Sequence, residues 1–188
     1  LWRSFTHWVG GMGVLVFIMA FLPLSGGQNL HIMKAESPGP SVSKLVPRIK
    51  TTALLLYAIY LVMTALEFVL LLFGGMSVFD AINTAFATAG TGGFAVRNDG
   101  LAGYSDAVRM IVTVFMILFS FNFNVYFLLL SKKFKDALKV SEVWYYLAII
   151  AAATAVITVN IKGMFPSVGK AFRNAIFTVS SMISSTGF

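Results

Sequence analysis

The chain has 188 residues, of which 58% are apolar and only 11% are charged, and it contains no cysteine. Its mean hydropathy of +0.85 is too high for a water-soluble domain, whose surface must be polar. The lack of cysteine excludes disulfides and thiolate metal sites. The net charge of +7 does not indicate nucleic-acid binding, because the basic residues are scattered between apolar runs. The composition therefore predicts a membrane protein surrounded by lipid.

Four apolar segments approach or reach the length that a helix needs to cross a bilayer core of about 30 Å. They are residues 8–24, 51–73, 107–130 and 143–161. The intervening loops 25–50 and 132–142 are rich in Lys and Arg, so the positive-inside rule places both in the cytoplasm. The chain begins at Leu1 rather than Met and ends within a motif at Phe188, so we expect a fragment of a longer protein.

A shorter apolar segment, residues 77–88, lies between the second and third spans. As a helix its 12 residues would reach only about 18 Å, so it enters the membrane without crossing it. A glycine-rich string, residues 89–95, follows it. Irregular backbone at membrane depth is tolerated only where it is buried in protein or lines a watery cavity. The segment therefore predicts a re-entrant half-helix and pore loop that dip in from the outside.

The same pattern recurs 94 residues later in the chain. That shift superimposes Ala81, Ile82, Thr84, Gly93 and Phe94 on Ala175, Ile176, Thr178, Gly187 and Phe188. An internal repeat at matching places in the topology indicates an all-α protein built from helix, pore loop, helix units. Residues 1–24 then close a first unit, 51–131 form a second, and 143–188 begin a third.

The two predicted pore loops offer neutral oxygens and no carboxylate, which suits a dehydrated monovalent cation. They comprise Ala89, Gly90, Thr91, Gly92, Gly93 and Phe94 in the second unit, and Ser184, Ser185, Thr186, Gly187 and Phe188 in the third. Glycine lets carbonyls turn toward a common axis, and the carbonyl end of each half-helix favours a cation. A simple turn is the usual meaning of an isolated Thr-Gly-Gly, but its repeated position after a half-helix favours a filter. A phosphate loop would need a Lys-Ser/Thr ending, which is absent.

Polar residues within the spans are further candidates. Asn122 and Asn124 lie about 200° apart on a helix, so at most one can line the pore; the alternative is that both bond to neighbouring helices. For Gly10 and Gly13 we favour close helix packing over a gating hinge. Glu67 either attracts cations toward the pore mouth or is a snorkelled or hydrogen-bonded carboxylate.

Charged and titratable residues outside the loops suggest no catalytic chemistry. Asp80 opens the half-helix, where a carboxylate complements the helix dipole, so we expect a structural role. His7 and His31 are too isolated to form a metal site, and no Ser, His and Asp arrangement indicates a nucleophile. We therefore expect no enzyme activity and no cofactor.

Several motifs together resemble the Trk/Ktr/HKT superfamily of potassium transporters, most closely a bacterial Trk-type membrane subunit. They are Trp2-Arg3-Ser4, Trp8-Val9-Gly10-Gly11-Met12-Gly13, Ala35-Glu36-Ser37-Pro38-Gly39-Pro40, Pro47-Arg48-Ile49, Gly75-Met76-Ser77-Val78-Phe79-Asp80-Ala81, Thr91-Gly92-Gly93-Phe94 and Ser185-Thr186-Gly187-Phe188. The resemblance implies four units in one polypeptide with pseudo-fourfold symmetry around one pore. Each unit would contribute one filter glycine, here Gly93, or alternatively Gly92, and Gly187.

The resemblance also implies a function and partners. The complete protein would take up K⁺ across the bacterial inner membrane, with K⁺ bound by Thr91, Gly92, Gly93, Ser185, Thr186 and Gly187. It would be a homodimer gated by a ring of cytosolic nucleotide-binding subunits, for which loops 25–50 and 131–142 are candidate docking surfaces. A Na⁺/K⁺ symporter, or a Na⁺-permeable relative, is an alternative within the superfamily. A broken-helix solute carrier is an alternative of another class, but such carriers aim half-helix N-termini at the substrate.

Overall fold

The structure is a computed structural model that describes residues 1–11, 13, 49–130, 137 and 140–188. The described residues form seven α-helices and a short 3₁₀ turn, Lys162–Met164. The helices are α1 Trp2–Gly11, α2 Ile49–Phe73, α3 Val78–Ala89, α4 Asp106–Phe119, α5 Phe123–Leu130, α6 Ser141–Ile161 and α7 Val168–Ile183. Most of the two predicted cytoplasmic loops and most of the predicted span 8–24 lie outside the described residues.

Helices α2 and α6 have the length and composition of membrane spans. Within the described ranges the qualifying stretches are Leu54–Phe73, with 20 residues, and Ser141–Met164, with 24. Helix α2 turns Thr64 and Glu67 inward, while Val62 is 67% exposed. A helix that buries polar groups and exposes large apolar ones suits a lipid surrounding, in which an unpaired polar group is costly.

The predicted span 107–130 is wrong as a single helix, because the structure divides it into α4 and α5. At the break the Ser120 hydroxyl donates to the Met116 carbonyl, 2.8 Å away. The Leu118 carbonyl accepts from the Tyr126 hydroxyl at 2.6 Å. A helix can break inside a membrane protein when side chains pair the freed backbone groups, as they do here.

The predicted half-helix 77–88 is confirmed as α3, shifted by one residue. Ser77 caps it, because its hydroxyl accepts from the Asp80 N–H at 3.1 Å. Helix α1 begins at Trp2, six residues before the predicted start of the first span.

The helices pack in a repeating order. Helix α3 lies between α2 and α4 and is crossed by α1, whereas α7 packs on α6 and α4. In both cases the closing helix of one unit lies against the half-helix of the next: α1 against α3, and α4 against α7. An apolar cluster ties the second unit together through Leu71, Met76, Ala81, Ala85, Leu101, Val108, Val112 and Met116. This packing places the ends of α3 and α7, and the loops that follow them, near each other.

Candidate selectivity filter

The second filter loop, residues 90–94, folds back over the carbonyl end of α3. The N–H groups of Gly92 and Gly93 both point at the Ala87 carbonyl, at 2.7 and 3.4 Å. Two residues have left-handed backbone, Thr91 with φ +50° and Gly93 with φ +63°. The non-glycine Thr91 holds a conformation that L-residues seldom adopt, which is a form of strain that occurs often at functional sites.

The third filter loop, residues 184–188, has the same backbone turn. Ser185 has φ +54° and Gly187 has φ +78°. The Gly187 N–H points at the Ser181 carbonyl, 3.2 Å away. These residues stand 94 positions after Thr91, Gly93 and Ala87, so the repeat seen in the sequence is also present in the backbone.

Side-chain hydroxyl groups stabilise the third filter loop, whereas the second filter loop relies on backbone hydrogen bonds. The Ser184 hydroxyl accepts from the Thr186 N–H at 3.3 Å and lies 2.7 Å from the Thr186 hydroxyl. The Ser181 hydroxyl donates to the Phe188 carbonyl at 3.1 Å. Both Ser184 and Thr186 are buried. The third loop therefore has a polar network of its own.

The two filter loops are direct neighbours. A Cβ atom added to Gly93 would collide with the Thr186 carbonyl oxygen and stand 2.9 Å from the carbonyl carbon of Gly187. Only glycine fits at such an approach, and its positive φ makes the same demand. The structure thus brings the predicted filter residues of both units together in one place.

Two glycines allow the backbone of α1 to pack closely against the start of the second filter loop. A Cβ on Gly11 of α1 would stand 2.8 Å from the Gly90 Cα, and a Cβ on Gly90 would stand 2.6 Å from the His7 backbone. The close approach thus falls on Gly11. No described atom lies within 4 Å of a Cβ on Gly10, so the packing predicted there is not found among the described residues. For Gly13 it stays a prediction.

A polar clasp connects the pore helix of the third filter loop to α4. Arg109 donates from Nη2 to Asn174 Oδ1 at 2.6 Å and lies over the Phe177 ring, 5.4 Å from its centroid. Asp106 pairs with Arg173 at 3.3 Å. The sequence could not predict this clasp, because its partners lie more than sixty residues apart.

Comparison with known proteins identifies the family. The family model of TrkH, described as a cation transport protein, matches residues 1–148. The chain belongs to the TrkH family. It is 32% identical over its whole length to the Trk system potassium uptake protein TrkH of Escherichia coli K12, and covers 40% of that relative. It is 40% identical to TrkH of Vibrio parahaemolyticus over 129 residues, which are 67% of this chain and 26% of the relative.

A solved structure agrees. The crystal structure of the potassium transporter TrkH from Vibrio parahaemolyticus matches with a TM-score of 0.77 and 27% identity, over 96% of this chain and 37% of the other. The resemblance recognised in the sequence is thus confirmed, and so is the all-α membrane fold. The chain spans about two fifths of the length of these TrkH relatives.

Within this TrkH fold, the amides proposed as pore-lining are placed unequally. Asn122 donates from Nδ2 to Glu142 Oε2 at 3.0 Å, a bond to a neighbouring helix of the kind expected under the alternative. The side chain of Asn124 lies outside the described residues. A pore-lining role for either amide stays a prediction.

Two carboxylates near α3, those of Glu67 and Asp80, lie beside hydroxyl groups of the fold. Glu67 is fully buried, so it is neither at the pore mouth nor snorkelled; it lies beside the Thr88 hydroxyl without a described hydrogen bond. Asp80 lies beside Tyr104 of the outer loop, and burial, followed by the hydrogen bond to Asp80, raises the pKa of Tyr104. In the described part of the chain, no three His, Asp or Glu side chains cluster as they would around a bound metal.

Proposed function

We propose that the complete protein takes up K⁺ across the cytoplasmic membrane as the pore-forming subunit of a Trk-type system. One observation carries the proposal: two loops of the same backbone shape, each after a half-helix, meet at Gly93 and Thr186. The name of the Escherichia coli relative, a potassium uptake protein, supports K⁺ as the ion.

The chemistry of the filter loops suits K⁺ passage. Neutral carbonyl and hydroxyl oxygens replace the hydration shell without the strong charge that would trap the ion. The carbonyl ends of α3 and α7 both face their loops, so both helix dipoles favour a cation. We assign the ion contacts to Thr91, Gly92, Gly93, Ser185, Thr186 and Gly187. Gly93 is the filter glycine of the second unit in this proposal, because its φ of +63° matches that of Gly187, at +78°.

The remaining parts of the proposal concern the whole assembly. The filter loops face the outside of the inner membrane, and loops 25–50 and 132–142 face the cytoplasm. The complete protein has four units around one pore and pairs as a homodimer. A cytosolic ring of nucleotide-binding subunits gates it. K⁺ is the transported ion, and no cofactor takes part.

A Na⁺-permeable pore or a Na⁺/K⁺ symporter remains the alternative within the superfamily, and ion competition separates it from K⁺ uptake. A broken-helix solute carrier is disfavoured. Both loops follow the C-terminal ends of their half-helices, whereas such carriers point N-terminal ends at an anionic substrate.

The test is rubidium uptake by the complete protein in cells that lack their own K⁺ uptake. We expect restored growth at low K⁺ and rubidium influx that K⁺ blocks better than Na⁺ does. Gly93→Asp should abolish the influx, because it places a charged side chain where no Cβ fits. Normal rubidium influx in Gly93→Asp would remove the filter assignment, and equal block by Na⁺ would favour the alternative.

A further inference from the structure

We propose that Arg3 and His7 of α1 are positioning residues for the second filter loop, and that their contact with Phe94 sharpens its preference for K⁺ over Na⁺. The proposal rests on the proposed function. It concerns a contact that crosses from the closing helix of the first unit into the filter of the second.

The contact has two members on one helix face. The Arg3 guanidinium lies over the Phe94 ring, 4.0 Å from its centroid. The His7 imidazole lies 4.8 Å from the same ring, tilted by 60°. Arg3 and His7 are four residues apart in α1, which puts them on the same side of the helix. His7 also lies against the loop itself, because a Cβ on Gly92 would stand 3.1 Å from its Cγ.

Arg3 differs from other arginines of the described segments. Arg97, Arg109 and Arg173 each pair with an aspartate. No described carboxylate pairs with Arg3. Its position over Phe94 is therefore not a by-product of an ion pair, and cation–π attraction is the interaction that the geometry provides.

The ring is coupled directly to the ion-binding backbone. Phe94 follows Gly93, whose left-handed backbone lies against the Thr186 carbonyl of the third loop. A displaced Phe94 ring would turn the peptide that joins it to Gly93. Discrimination between K⁺ and Na⁺ depends on the number and placement of the coordinating carbonyls, so the contact acts on selectivity.

The matching phenylalanine of the third filter loop has no described cation over its ring. Phe188, which stands 94 residues after Phe94, packs against the apolar cluster formed mainly by α3 and α4. Among the described residues, the arginine contact is thus a feature of the second filter loop and is not repeated at Phe188.

The experiment measures the ratio of rubidium to sodium uptake by the complete protein in proteoliposomes. Arg3→Gln should lower this ratio by about two- to fivefold, which is the range expected for an exposed cation–π contact. Arg3→Lys keeps the charge but loses the flat guanidinium, so it should retain part of the ratio. His7→Leu should lower the ratio by a smaller factor. Arg97→Gln is the matched control, since Arg97 also lies over a ring, that of Tyr104 at 5.3 Å, but outside the filter.

A double-mutant cycle separates positioning from charge. In a Phe94→Leu background, Arg3→Gln should change the uptake ratio by less than about 1.5-fold, since the contact is already lost. An equal effect of Arg3→Gln with and without the Phe94 ring would overturn the proposal, and so would an unchanged ratio in the single variant. If Phe94→Leu does not fold, the single variants decide. The uptake ratio should then fall from wild type to Arg3→Lys and again to Arg3→Gln, and any other order would count against the proposal. A wild-type protein that carries no rubidium would instead refute the proposed function, and this inference with it.

Discussion

In the second filter loop the N–H of Gly92 bonds to the Ala87 carbonyl, whereas in the third the N–H of Thr186 bonds to the Ser184 hydroxyl. The φ angles of the two loops nevertheless agree closely at three corresponding pairs of positions: Gly90 and Ser184, Thr91 and Ser185, and Gly93 and Gly187. The same backbone turn is therefore reached once through glycine and once through serine and threonine. The shape of the loop is the common element, and side-chain chemistry varies around it.

The supports behind the two filter loops differ in the same sense. Behind the second, Gly11 lets the backbone of α1 come to the Gly90 Cα. Behind the third, Arg109 reaches from α4 to Asn174 of α7. The contact between Gly11 and Gly90 leaves no room for an added side-chain atom. The polar clasp, in contrast, has more than one interaction and can lose one of them without separating α4 from α7. We therefore expect the second support to be more sensitive to substitution than the third.

The largest effect is expected at the glycine contact. Gly11→Val would push α1 away from the second filter loop, since even its Cβ would come within 2.8 Å of the Gly90 Cα. Overpacking of this kind costs about 1–3 kcal/mol, and we expect the upper half of that range because backbone meets backbone, so rubidium uptake should fall by about tenfold or more. Gly10→Val is the neighbouring control, with no described atom within 4 Å of the new Cβ. If the two variants lost equal amounts of rubidium uptake, the close approach of α1 to Gly90 would not be the cause of the loss.

An intermediate effect is expected in the hydroxyl network. Ser184→Ala removes the acceptor of the buried Thr186 N–H. A buried group left without a partner costs about 1–3 kcal/mol, so rubidium uptake should drop by about fivefold or more. Ser141→Ala, at an exposed helix start, should leave uptake unchanged. If Ser184→Ala transports normally, the third filter loop does not depend on its hydroxyls, and the contrast with the second disappears.

The smallest effect is expected at the polar clasp. Arg109→Gln removes a charge-assisted hydrogen bond to Asn174 and should lower the free energy of unfolding by about 1.5 kcal/mol. Thermal unfolding of the complete protein in detergent measures this loss of stability. Arg97→Gln, which breaks an exposed ion pair with Asp99, should cost about 0.5 kcal/mol or less. A clasp variant as stable as this control would mean that the bond from Arg109 to Asn174 does not stabilise the attachment of α7 to α4.

The sequence could predict features that depend on local pattern. The short apolar run 77–88 became α3 almost to the residue, because its length and the flanking glycines determine where a half-helix begins and ends. The break between α4 and α5 could not be predicted, since polar residues such as Ser120 and the nearby Asn122 and Asn124 also occur within unbroken helices, and the Tyr126 bond that compensates the break depends on the fold.

Long-range contacts escaped prediction for the same reason. Nothing local distinguishes Gly11 from Gly10, although only Gly11 faces α3. Arg3 belonged to a recognised motif and His7 was considered only as a metal ligand, yet their contact with Phe94 spans about ninety residues of sequence. The loop chemistry indicated a monovalent cation, and the family resemblance was needed to name K⁺.

The most direct test of the central claim compares two glycines with nearly the same φ angle. Gly93 has φ +63° in the second filter loop and Gly100 has φ +64° in the outer loop, so alanine would be forced into a left-handed φ at both. Only Gly93 faces the Thr186 carbonyl. We predict that Gly93→Ala lowers rubidium uptake by about tenfold or more, from overpacking added to strain, and that Gly100→Ala stays within about twofold of wild type. Equal uptake by the two variants would contradict the assignment of these loops as neighbouring quarters of one ion filter.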